Sequence, residues 1–385
     1  MKYPIFFLKK LSLTIWLICL SPILNPINIH GNSKFPIEGN LGNNDFKIIA
    51  YATPSTNEIS SETAKQMNQI IYSFLHLKGN KLEASEKDKE YLSYLNSLKE
   101  VNPNLKVLVS LGGWGGCETC SDVFSSEKGR EEFVSSVKEF LQKNNYNGID
   151  LDWEYPVIEG FPGHAFKPAD KENFTALVSE LRKALGPDYV ISFAAGGFKD
   201  YLAKSINWEE VMPLVDHVNI MSYDIVNGNS TKTGHHTSLF STENQPISTD
   251  YSVRYLDSIG VPREKMVIGA AFYARVWENV KKTLNGRYQP GKFKQGVAYR
   301  QLKDFFEKNP GFKIYWDSVA HAPYAYNEEK GFFATFDDSL SVAQKTAYAI
   351  KNDLGGIMFW ELSNDKAEDG LLDVIYRVKE NMETN

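Results

Sequence analysis

The sequence predicts an α/β fold: a (β/α)8 TIM barrel with a small α+β insertion between strand 7 and strand 8. Three observations carry this. Eight short β-branched and aromatic runs recur along the chain, each followed by a stretch of helical character. More than 80 residues separate the last two runs and break that rhythm. The 385 residues, less a leader of about 30, suit one barrel of about 250 residues plus decoration.

The runs are Lys47–Tyr51, Gln69–Leu75, Lys106–Leu111, Gly148–Trp153, Tyr189–Ala195, His217–Tyr223, Met266–Phe272 and Gly356–Trp360. Between them, Arg130–Lys143 repeats Phe133, Val134, Val137, Phe140 and Leu141 at helical spacing. Lys171–Leu185 does the same with Phe174, Leu177, Val178 and Leu181, and Gly186-Pro187 stops it. Strand–helix alternation implies a parallel sheet, and eight strands allow closure. A doubly wound open sheet is the alternative, but no Gly-x-Gly-x-x-Gly loop follows the first strand.

The excess before the last strand falls at 276–335, rich in aromatics and with turn signals at Asn285-Gly286, Pro290-Gly291 and Pro310-Gly311. It reads as an inserted domain on the barrel's C-terminal rim, leaving 46–275 and 336–380 to the barrel. Residues 31–45 read as a loose Gly/Asn-rich lead-in.

Met1–Ile29 reads as a targeting segment, with Lys2, Lys9 and Lys10 before the ten-residue apolar run Leu11–Leu20. That run is short for a bilayer core of about 30 Å, so export is expected and no membrane span in the mature chain. An uncleaved anchor is the competing reading. The formal charge of −6 argues against nucleic acid as partner, because such proteins concentrate basic residues on one face. Beyond the leader only Cys117 and Cys120 remain, which in an exported protein read as a short-loop disulfide. A redox Cys-x-x-Cys lacks its strand-to-helix surroundings here, and a metal site would need other ligands.

The most informative segment is Gly148-Ile-Asp-Leu-Asp-Trp-Glu-Tyr-Pro156. Alternate side chains of a strand share a face, so Asp150, Asp152 and Glu154 point together into the lumen. At about 7 Å and an effective dielectric near 20, two such charges repel by roughly 2 kcal/mol, more than one pKa unit. The row should share protons, leaving one member protonated near neutral pH. Glu154 lies at the strand's C-terminal end, where a barrel enzyme would keep a general acid. A divalent-cation cluster or an acid network tied by Arg or Lys are the other readings.

This ladder, with Trp153 and Tyr155-Pro156, resembles the signature of glycoside hydrolase family 18, the chitinases. Ser110-Leu-Gly-Gly113-Trp114, Met221-Ser-Tyr223-Asp224, Gly269–Arg275, Gly356–Glu361 and Asp337-Asp-Ser with Lys345 are similar to further motifs of that family, in order. Two departures are Asn147, where the family usually has Asp, and Ala274, where Gly is commoner and which would trim space near Arg275.

The resemblance implies substrate-assisted hydrolysis of β-1,4-linked N-acetylglucosamine, without cofactor or metal, by a monomer acting on chitin or chitooligosaccharides. Glu154 would protonate the glycosidic oxygen and Asp152 would hold the acetamido N–H. Asp150 would carry a shared proton, and Tyr223 would bind the acetamido carbonyl. Asp224, Arg275 and Met221 would contact sugar near the cleaved bond, over a floor formed by Trp360. Tyr51, Phe74, Gly113, Trp114 and Tyr155 would line the path. The adjacent His235 and His236 make a poor metal pair and read as a solvated or sugar-contacting loop. Two rival functions remain: a lectin on the same barrel, and an endo-β-N-acetylglucosaminidase acting on N-glycans. The intact acids speak against the first and the insertion against the second.

Overall fold

The computed structural model describes residues 46–55 and 58–383; the expected leader and lead-in lie outside them. Eight parallel strands form the barrel: Lys47–Ala52, Gln69–Lys78, Lys106–Gly112, Gly148–Asp152, Val190–Gly196, His217–Met221, Met266–Ala271 and Gly356–Trp360. Each is hydrogen-bonded to its sequence neighbour, and the first also pairs with the eighth, so the sheet closes without an edge. Both faces are covered, which is why the strands read as near-continuous apolar runs. The second strand overshoots and forms a hairpin with Lys81–Glu83, which period alone did not announce.

Helix boundaries follow capping chemistry. Glu127–Asn144 begins three residues before the expected start at Arg130 because the Ser126 side chain accepts from Gly129 N–H. Asn145 ends it in the left-handed region at φ 56°. Asp170–Leu185 stops at Gly186, as expected. The lumen is filled by Ile49, Ile71, Leu108, Val190, Val267 and Met358 around Tyr51, with Met221, Tyr223 and Trp360 resting on top.

Between the seventh and eighth strands lies an antiparallel five-stranded sheet, Tyr273–Glu278, Lys292–Ala298, Phe312–Asp317, Ala322–Asn327 and Phe332–Thr335, with the helix Tyr299–Lys308. Ala274, Val276, Val297, Leu302, Ala325 and Ala334 form its core against that helix. The expected start at residue 276 needs correction. Tyr273, Ala274 and Arg275 already pair with Ala298, Val297 and Gly296, so the inserted sheet begins one residue after Phe272. The apolar run passes from one sheet to the other without a turn residue, and this hides the boundary.

Candidate active site

Asp150 sits at one level of the barrel with Ser110 and Ser192, its direct neighbours in register. Its carboxylate accepts from Ser192 Oγ at 2.6 Å, Ser110 Oγ at 2.8 Å, Tyr51 hydroxyl at 3.2 Å and Asn219 Nδ2 at 3.2 Å. Burial raises its pKa while these contacts pull it back toward the anion. Asn219 also donates to the Tyr51 oxygen at 3.0 Å, leaving the Tyr51 proton for Asp150.

Asp152, one step up, is different. Its Oδ1 is buried without a hydrogen-bond partner among the described residues. Burial, then the charges of Glu154 and Asp150, push its pKa well above the usual carboxylate range. Glu154 follows just beyond the strand, buried like the other two. Burial lifts it to about 7; a hydrogen bond from Tyr155 opposes this and the Asp224 charge adds to it. Trp153 turns the other way, against Phe124 and Phe174. The alternation brings all three acids together, and non-proline cis peptide bonds stand at Ser73–Phe74, Glu154–Tyr155 and Trp360–Glu361 around the mouth.

Burial and four surrounding acid charges keep the Tyr223 hydroxyl protonated. Among the described residues it donates to Met358 Sδ at 3.8 Å, a weak acceptor, so the hydroxyl can turn to a better one. Trp360 and Phe74 stack at 5.4 Å and 14°, both half-buried at the mouth, with Met221 on the same floor. Two expected cleft residues lie deeper. Tyr51 is only 2% exposed and faces Asp150 from below the floor. Gly113 is buried under Phe74: at φ 77° it donates to Asp152 C=O at 2.8 Å, and a Cβ there would meet the Phe74 ring at 2.3 Å.

Arg275 binds the Asp224 carboxylate through Nε and Nη2, and its guanidinium lies 5.4 Å from the Tyr273 ring centre. Burial alone would raise Asp224, but the neighbouring His236 ring and the Arg275 guanidinium hold it well below the carboxylate range. The histidine pair is not solvated. Both rings are fully buried, His236 Nδ1 3.5 Å from Asp224 and His235 Nε2 3.0 Å from Asp317 of the inserted sheet. The polar sequence around them faces the insertion instead of water. Ala274 points into the insertion core and takes no space from Arg275. Asn147 ties strands together, its Oδ1 accepting from Val107 N–H.

Cys117 and Cys120 form a disulfide just after Trp114. Trp114 projects to solvent with its ring 6.5 Å from that of Tyr155. Tyr155 is half-buried, set against Phe198 and Tyr201. Among the described residues no group of three or more His, Cys, Asp or Glu is placed to hold a metal ion, and no helix is long and apolar enough to cross a membrane.

Residues 47–365 match the family description "Glycosyl hydrolases family 18". The chain belongs to glycosyl hydrolase family 18. Relatives include chitinase A1 of Niallia circulans, 37% identical over 302 residues that make up 71% of this chain and 43% of the relative. An oviduct-specific glycoprotein of Papio anubis is 29% identical, covering 77% of this chain and 49% of its own. The chain thus spans about half the length of these curated relatives. A family 18 N-acetylglucosaminidase from Paenibacillus barengoltzii superposes with a TM-score of 0.80 at 33% identity, covering 87% of this chain and 100% of that one.

Several residues of this family 18 site escaped the sequence reading. Ser192 and Asn219 around Asp150 carried a signal: Ser192 is the lone polar residue of a buried apolar strand, and Asn219 sits between Val218 and Ile220 in the middle of another. The burial of His236 beside Asp224 carried no signal, because Asp224 lies twelve residues earlier, just beyond the sixth strand, and part of its cover comes from the insertion. Glu361, buried and accepting from Thr53 and Ser363, was legible only as the residue after Trp360.

Proposed function

We propose that the chain is an exported retaining glycosidase that cleaves β-1,4 linkages between N-acetylglucosamine units, a chitinase. The observation behind this reading is the buried row Asp150, Asp152 and Glu154 at the end of one barrel strand, with the Asp152 Oδ1 lacking a hydrogen-bond partner among the described residues and burial lifting Glu154 to about 7. The Glu154 proton passes to the glycosidic oxygen as the C1–O bond breaks. The substrate's acetamido oxygen attacks C1 and gives an oxazolinium ion, with its N–H held by Asp152 and its carbonyl side by Tyr223. Water then adds to C1 from the leaving-group side, returns a proton to Glu154 and opens the ring to the β-anomer. At rest the shared proton sits on Asp152 and not on Asp150, because Asn219 and Tyr51 both offer Asp150 a donor.

The name of the Niallia circulans relative supports this substrate class, and the Lys2/Lys9/Lys10 region with its apolar run supports export. The full-length match to the Paenibacillus barengoltzii N-acetylglucosaminidase favours a second reading, release of single units from a chain end. Cleavage of N-acetylglucosamine hexamers, followed by early-time NMR of product anomers, separates the cases. Dimers and longer β-anomers that vanish in Glu154→Gln support the chitinase. Monomers from the outset support the second reading, and binding without cleavage points to a lectin.

A further inference from the structure

A second aromatic group stands beside Trp114 on a loop the mechanism does not use. After Glu154 the chain runs through 156–169 to the next helix. Within it, Phe161-Pro162-Gly163-His164 is a tight turn: His164 N–H donates to Phe161 C=O at 3.0 Å and Gly163 has φ 91°. Proline second and a positive-φ glycine third are what a type II turn requires. The turn holds the Phe161 and His164 rings 4.9 Å apart. Phe161 in turn meets Trp114 edge-on at 5.7 Å.

Both partners are fixed from behind yet open in front. Gly116 N–H closes a turn onto Gly113 C=O at 2.8 Å, and the Cys117–Cys120 bond closes the segment that follows Trp114. Still, Trp114 is 53% exposed and Phe161 36%. The surface is continuous with the acid ladder through Tyr155, which touches Trp114 and follows Glu154 in sequence. The Trp114 and Phe161 planes stand 70° apart, so each ring offers a face of its own; a ring face suits the C–H face of a pyranose, and preorganisation lowers the entropy lost on binding.

We propose that Phe161, braced by His164 and paired with Trp114, forms an outer stacking platform for a distal N-acetylglucosamine unit of a long chain, making it a residue that selects for substrate length. This rests on the chitinase reading of the same cleft. The test is calorimetric binding of N-acetylglucosamine trimers and hexamers to full-length Glu154→Gln protein with and without Phe161→Ala, with circular dichroism to check the fold. Hexamer affinity should fall about two- to tenfold, well beyond any loss for the trimer, and Phe161→Tyr should restore it. Equal losses for both lengths, or none for the hexamer, would overturn the platform. A Glu154→Gln protein that binds no oligomer, in a chain whose wild type cleaves none, would instead sink the chitinase reading.

Discussion

Arg275, on the first strand of the inserted sheet, grips the carboxylate of Asp224, at the end of the sixth barrel strand, through two nitrogens of one guanidinium. The pair sits where the two sheets meet, so under the proposed function sugar contacts and attachment of the inserted sheet would share one interaction. A Lys at this position keeps the charge but not the two-point geometry. Arg275→Lys should therefore raise KM, and Arg275→Ala should also lower unfolding stability by about 1–3 kcal/mol, read from denaturant midpoints. An Arg275→Ala protein of unchanged midpoint and KM would show the pair to be incidental.

The pH profile follows from Glu154. If Glu154 is the general acid proposed above it must be protonated to act, and burial lifts its pKa to about 7, so kcat/KM should fall as pH rises through neutrality. Since the Asp224 charge helps to raise Glu154, Asp224→Asn should move this alkaline limb to lower pH. Burial is the larger cause and persists, so the limb stays above the ordinary carboxylate range. A limb that stays put, or moves up, would contradict this assignment.

For the same group, stability runs with the opposite sense from a depressed carboxylate. Its folded pKa is raised, so the fold gains from Glu154 most fully at low pH and loses that gain between its ordinary value of 4.5 and about 7. Glu154→Gln should flatten this part of the stability–pH curve, measured by urea unfolding at several pH values.

Tyr223→Phe separates chemistry from folding. The hydroxyl's close partner is a thioether sulfur, so its removal should change stability by less than about 0.5 kcal/mol. Loss of one aligned donor to the developing charge should lower kcat by about 100-fold or more. A large fall in melting temperature would mean that the hydroxyl is structural.

Asp150→Asn tests the lower network. An amide brings its own N–H2 toward contacts that now donate, leaving at least one buried donor unmatched. Stability should drop by about 1–3 kcal/mol, and the pH profile should shift as Asp152 loses an anionic neighbour. Unaltered stability would show that Ser110 and Ser192 simply reverse their hydroxyls.

Much of this fold was legible because period-two and period-3.6 patterns are local. All eight barrel strands were located within one to three residues at either end, and the acid ladder followed from strand alternation alone. What the sequence hid was non-local. Tyr51 looked like a cleft aromatic because its run ends at the mouth, but its hydroxyl is drawn inward by Asn219 and Asp150. His235 and His236 lie in a polar stretch that only the later inserted residues bury. Gly113 was expected to line the path, yet it is covered by the Phe74 ring, whose own position depends on a strand distant in sequence.

The loop that follows Asp224 leans on the insertion throughout. Thr233 N–H donates to Gln289 C=O, the amides of Leu239 and Phe240 both donate to Ala320 C=O, His236 N–H donates to Thr335 Oγ1, and the His235 ring meets Asp317. Thr237 joins Asp337 and the fully buried Lys345 at the point where the chain re-enters the barrel. Shortening this protein to a bare barrel would therefore strip partners from a string of buried amides and a histidine, each an unmet desolvation of order 1–3 kcal/mol. The inserted sheet is thus scaffolding for the rim it rose from, and a minimal catalytic version of this chain would have to keep it.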